Sequence, residues 1–461
     1  MSASAQTPTT TIQNGNGDTR LELNYDGGLL VPGTFGPTTP ADSIPAEGAG
    51  TRLMWYPAKA AFRAGRVFDN TFSGVGTDGR TFWDPANVGN YSVAFGNNTK
   101  ASGNMSLAAG INTAASERGA AAIGLGTEAS AEAALATGKN TSAFQENATA
   151  MGEGTTASGR NATAMGDVTL ASGFAATAMG SDTKAIDFLA TAMGNKTIAR
   201  GANSTAMGLS TEASGNEATA MGHGTTASGE AATAMGNGTT AANFTSLSIG
   251  SYNDANSTAD GLTLFVVGNG TGSSDRSDAL LLTANGTLKI SGTLNESSDR
   301  RLKTDIKPLG TGTLQKLEQI RPVRYKFTDP DTHPNGPQMG LIAQDVRKEF
   351  PSLVSTGTNG MLSLTYSKFT AVLLKGLQEQ QDQINTQTSQ IAALRADNDA
   401  MKAQQEDLKE RLAALEAQSG SLPAGATPVS GLLLAVMVLG AGALWYARSH
   451  ALATPNAGSN Q

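Results

Sequence analysis

Twelve glycines, Gly96, Gly110, Gly124, Gly138, Gly152, Gly166, Gly180, Gly194, Gly208, Gly222, Gly236 and Gly250, stand 14 residues apart without an insertion. A phase held that long marks one supersecondary unit repeated along an axis. The residue before the glycine is Met in seven consecutive turns, Met151 to Met235, with Phe95, Ile123 and Ile249 in the same place near the ends. Ala109 and Thr137 are the weak turns. A second line of alanines runs in step from Ala101 to Ala241. Each turn reads as two short extended segments, typified by "ATAMG" and "TTASG", with glycines at corners where backbones pack closely. The alternation is read as setting Met and Ala on one face and Thr on the other. A helix does not fit, because Gly, Thr and Ser recur in every segment and no 3.6-residue stripe survives.

One solenoid this thin buries little. With 55 glycines, 5% aromatic and 15% charged residues, the chain lacks the large side chains of a thick core and must bury area by repetition and association. Three parallel copies sharing a Met/Ala interior meet that need, so a homotrimer is expected. The net charge of -7 and the scattered basic residues argue against a nucleic-acid partner. The chain has no Cys, and His223, His333 and His450 are far apart in sequence, which leaves neither a thiolate or histidine metal cluster nor a histidine triad. No metal and no cofactor are expected. Residues 1–11 show neither the basic region nor the apolar run of a secretory signal.

The sequence "ATAMGEGTTASGRN" and its sisters resemble the head repeats of trimeric autotransporter adhesins over residues 91–255. The resemblance implies a left-handed parallel β-roll, although no β-barrel anchor of alternating strands follows. Residues 1–90 are read as a β-rich cap or head, with "TRLELNYDGGLLVPGTFG" as a hairpin. Trp55, Tyr56, Phe62 and Trp83 there either cap the solenoid or form an exposed binding patch. "GTRLMWYPAKAAFRAG" is also similar to the lead-in of bacterial tail-fibre-domain proteins.

Residues 256–297 read as a β-rich connector, with strands closed by Asn-Gly turns. The composition then changes to that of an ordinary α/β segment. Ser298, Asp299, Arg301 and Lys303 in "SDRRLK", Gly340, Ala343 and Gln344 in "GLIAQDV", Pro351 and Tyr366 give residues 298–385 a resemblance to the peptidase S74 family, the intramolecular chaperone of phage tailspikes and endosialidases. The resemblance implies a domain that assembles a trimer and then cuts its own chain once beside a serine. Carried onto this sequence, Ser298 is the nucleophile and Lys303 the general base. A partly desolvated lysine can lose its proton near neutral pH and activate a hydroxyl, so no histidine is needed. Asp299 and Arg301 are read as positional, and Ser297 is the alternative nucleophile.

From Leu377 a heptad pattern continues to residue 417, with Leu377, Ile384, Ile391, Asn398, Gln405 and Leu412 at a and Gln380, Gln387, Leu394, Met401, Leu408 and Leu415 at d. A trimeric coiled coil with a partly polar seam is expected. After a linker at 418–428, the uncharged run Val429–Ala447 reads as a single transmembrane helix, followed by a short tail at 448–461.

The expected architecture is mainly β: a β-roll solenoid stalk, a small α/β chaperone domain, a coiled coil and a C-terminal membrane helix. The function that follows is a fibre or adhesin-like protein of the cell surface or virion, held in a membrane by one helix and displaying a head to a cell-surface glycan or protein. One alternative is a membrane-tethered precursor that releases its N-terminal part on autocleavage. Another is a polysaccharide hydrolase, for which the repeats supply only acids in no fixed register, such as Glu153, Asp167 and Glu212.

Overall fold

The computed structural model describes residues 10–13, 15–23, 29–31, 44–68, 79–255, 263–329 and 332–419. It divides into two compact units, residues 1–302 with 324–338, and residues 303–323 with 339–461.

In the first unit the first two 14-residue turns form the nine-residue strands Val93–Ala101 and Leu107–Ala115, and each turn from Ala121 to Ala241 contributes a five-residue strand, such as Thr149–Glu153, and a two-residue strand, such as Thr156–Ala157. Each pairs in parallel with its equivalent one turn on, so that Thr149, Ala150, Met151 and Gly152 lie against Thr163, Ala164, Met165 and Gly166. The glycine in this column has no substitute. Gly152 has φ 119°, and a Cβ there would lie 2.0 Å from the carbonyl oxygen of Gly166. The chain turns back at two corners per rung, both left-handed, as at Asn140 (φ 52°) and Asn147 (φ 56°). Asparagine tolerates that conformation better than most side chains.

The interior corrects the expected distribution of side chains. Ala148, Ala150 and Ala157 are fully buried, and so is Thr155, whereas Met151 is only half-buried. Successive residues of a strand point to opposite faces, so Ala150 and its neighbour Met151 cannot share one. The coil is filled by alanine columns and one threonine column, Thr99 to Thr239, whose hydroxyls find no hydrogen-bond partner. Thr149 and Met151 face outward, in a ladder repeated from turn to turn.

The N-terminal end of the solenoid is closed by the antiparallel strands Gly50–Tyr56 and Ala61–Val67, the second pairing in parallel with the first repeat strand. Tyr56 and Trp83 are buried there with Met54 and Phe82, as a cap on the repeat requires, whereas Trp55 and Phe62 are only half-buried. Arg63 is also completely buried. Its guanidinium donates to the Phe62, Ser92 and Ala101 carbonyls and to Ser92 Oγ at 2.7–3.0 Å. Burial pushes its pKa down to about 10. At the other end Leu247–Ser251 pairs in parallel with Thr263–Asn269, and two antiparallel strands, Asp278–Thr283 and Leu288–Ile290, complete the sheet. Arg276 donates to the Gly238 and Asn253 carbonyls there.

The second unit holds helices α1 (Thr313–Glu318), α2 (Ala343–Glu349) and α3 (Tyr366–Ser419). Ile320, Val346, Leu353, Phe369 and Val372 form its small core. The 54-residue α3 runs without a break through the segment read as a coiled coil, and its Ile384, Ile391, Leu394 and Leu408 are exposed in the single chain.

The expected membrane helix needs correction. Among the described residues no helix is long and apolar enough to cross a membrane, and Val429–Ala447 lies outside them. The long helix, α3, carries Glu379, Asp382, Arg395, Asp397, Asp399, Lys402 and Glu406, and ionised side chains are costly in hydrocarbon. The fold is mainly β, with a β-solenoid stalk, and neither the single-pass anchor nor the membrane location and membrane partner drawn from it is retained.

Candidate functional site

Between the last connector strand and α1 the chain has one element of regular structure, the 3-10 turn Arg300–Leu302. Ser298 stands two residues before it. Asp299 shapes the turn: its Oδ1 accepts the Arg301 backbone N–H at 2.8 Å, its carbonyl accepts that of Leu302 at 3.1 Å, and its Oδ2 accepts from Arg301 Nη2 at 2.7 Å. Short polar side chains favour such local turns because they replace a backbone partner. Arg301 holds the Asp299 carboxyl below the usual carboxylate range, and the carboxylate raises the guanidinium in turn. Both groups are exposed, so the pair adds little to stability. Its effect is to fix the backbone beside Ser298.

Ser297, Ser298 and Lys303 are all exposed in the single chain. The division between the two units falls between Leu302 and Lys303, so Ser298 belongs to the first unit and Lys303 to the second.

The remaining motif residues build framework. Ala343 and Gln344 open α2, and Pro351 opens the 3-10 turn Pro351–Leu353, where its fixed φ suits a first helical position. The Tyr366 hydroxyl accepts the Leu341 N–H at 3.0 Å, tying the start of α3 to the strand that ends at Gly340. Sequence reasoning missed Glu379. From α3 it accepts the Leu314 N–H at 2.8 Å at the start of α1, whose own N-cap position, Gly312, has no side chain to offer. The Leu314 N–H, with Lys375 3.6 Å away, holds the Glu379 carboxyl below its usual range. A glycine standing where a helix needs a capping oxygen was the available signal.

On the solenoid, the outward face of the strands carries a column of Phe95, Ala109, Ile123 and Thr137, then the seven methionines Met151 to Met235 without a break, then Ile249. Phe95 and Ile123 are exposed in the single chain. Among the described residues no group of His, Asp or Glu side chains is placed to hold a metal ion.

Comparison with known proteins agrees with this layout. Residues 88–113, 145–167, 189–211 and 213–239 match the YadA head domain repeat. Two curated relatives, each named Long tail fiber protein Gp37, come from Enterobacteria phage M1 and Enterobacteria phage Ox2; each is 33% identical over 92 residues, covering 19% of this chain and 37% of its own length. The chain thus spans well under half of the curated relatives it matches. Residues 298–355, a stretch that begins at Ser298 itself, match peptidase S74, the chaperone of endosialidase, a family of autoproteolytic intramolecular chaperones.

Proposed function

We propose that this chain is a trimeric fibre protein of a virion, whose C-terminal chaperone unit assembles three copies and then cuts each chain once beside Ser298. The observation that carries the reading is the order of the two family matches: head repeats first, then a self-cleaving chaperone starting at the residue proposed as nucleophile. The Thr/Met column is the face on which the copies meet. It has the same chemistry in turn after turn, as an interface parallel to the axis requires, and its half-buried methionines still have area to lose. The exposed seam of α3 supplies the second contact between copies.

In the proposed cut, Lys303 Nζ takes the proton from Ser298 Oγ, the oxygen attacks the carbonyl carbon of the adjacent peptide bond, the C–N bond breaks as its nitrogen receives that proton, and water then hydrolyses the ester. Lysine does this only when neutral, and covering an ammonium favours the neutral form. Because Lys303 is exposed in the single chain, the base becomes available when neighbouring subunits cover it, which makes cleavage a report of assembly. Replacing Ile384 and Ile391 by Asp tests the link, since charges in the seam oppose the coil. The double variant stays monomeric by light scattering and uncut on a denaturing gel; a monomer that still cuts refutes the coupling.

A further inference from the structure

The repeat makes departures from it conspicuous. One corner column carries Arg118, Glu132, Glu146 and Arg160 in successive turns and returns to Glu230 near its end, but in the middle it holds Phe174 and Phe188. Their rings stack with centroids 5.4 Å apart and planes 9° from parallel, and they remain 42% and 46% exposed. Ile186 and the exposed Leu189 extend the apolar surface. The rungs are locked together by the backbone, with Leu189 N–H donating to the Phe174 carbonyl and Asn203 N–H to that of Phe188.

The geometry points to a saccharide-binding site on this corner, with a pyranose ring laid on the Phe174–Phe188 platform. The inference rests on the fibre reading above and names the ligand class of its head. Three features on the molecule select the occupant. A second copy is a poor candidate, because an interface along this column would bring Glu132, Glu146, Arg160 and Glu230 into contact as well, whereas the Thr/Met face is uniform. A protein partner is poorly served, because two rungs about 4.8 Å apart offer on the order of 200 Å² of apolar surface, against about 800 Å² per partner in a stable protein interface. A sugar ring fits, because it presents one apolar C–H face to an aromatic ring and a rim of hydroxyls to polar neighbours. Here the neighbours are present. Asn203 and Asn216 are exposed on the following rungs, and Ala202, next in the phenylalanine column, is too small to cover the far side of the Phe188 ring.

Phe174→Asn with Phe188→Asn tests the site without disturbing the coil, since asparagine already occupies this column at Asn104 and Asn216. The probe is an immobilised array of hexose-, hexosamine- and deoxyhexose-terminated oligosaccharides, and the protein is the full chain with its oligomeric state read by light scattering on the same sample. The expected result is retention of wild type on a subset of glycans, weakened about tenfold or more in the double variant, with the oligomeric state unchanged. Retention that survives the substitutions, no retention of wild type on any glycan, or a double variant that loses its subunit contacts each overturns the saccharide site. The fibre reading fails separately, if wild type itself is a monomer.

Discussion

Gly152 lies so close to Gly166 in the next turn that a Cβ on the first would stand 2.0 Å from the carbonyl oxygen of the second. The obstacle is backbone, which cannot swing aside, and φ is 119°. Gly152→Ala therefore costs about 3 kcal/mol or more, at the extreme of single substitutions. Thermal unfolding of the first unit, followed by circular dichroism, reads the loss.

Val168 occupies a left-handed corner, φ 53°, where a β-branched side chain is strained, and it is 55% exposed. Gly154 and Gly224 hold the equivalent corner in other turns. Val168→Gly removes the strain at little loss of packing, and we expect a gain of about 1 kcal/mol. A lower melting temperature for the variant contradicts the assignment of strain.

The threonine column poses the opposite problem, a hydroxyl buried in the coil without a partner. Thr155 Oγ1 is one of these. An orphaned polar group carries its desolvation penalty with no hydrogen bond in return, so Thr155→Val stabilises by about 1 kcal/mol. Chemical denaturation distinguishes this from the loss expected if the hydroxyl has a partner in solution.

Acid acts on the second unit through Glu379. Its carboxyl is depressed in the folded state by the Leu314 N–H and Lys375. The contribution is present above the unfolded glutamate value of about 4.3 and is lost as pH falls through the lower folded value. Glu379→Gln flattens the stability profile below about pH 4 and lowers stability at pH 7. A parallel acid limb in wild type and variant contradicts this role.

How far the fold was legible follows from what kind of signal each part carried. The glycine phase announced parallel stacking because a glycine at φ 119° in contact with the backbone of the next turn tolerates no substitute. The faces were misread, since Ala150 and Met151 are adjacent in a strand and must point apart; the eye grouped them by polarity. The capping aromatics Tyr56 and Trp83 stood out in an aromatic-poor chain. Glu379 was illegible because it meets Leu314 from 65 positions away. The apolar run at 429–447 read as a membrane helix from composition alone, and no described helix has that character. Ser298 and Lys303 were singled out through a motif alone, and the turn that Asp299 imposes beside Ser298 is visible only in the fold.

The central claim is that assembled trimers cut themselves at Ser298, and intact mass measured under denaturing conditions on purified wild type, Ser298→Ala and Lys303→Ala tests it most directly. We predict two wild-type fragments of roughly 300 and 160 residues, the division that Ser298 imposes on 461, and a single full-length mass in both variants, all three trimeric before denaturation. A trimeric wild type that stays full length, or a Ser298→Ala chain that still yields both fragments, contradicts the account.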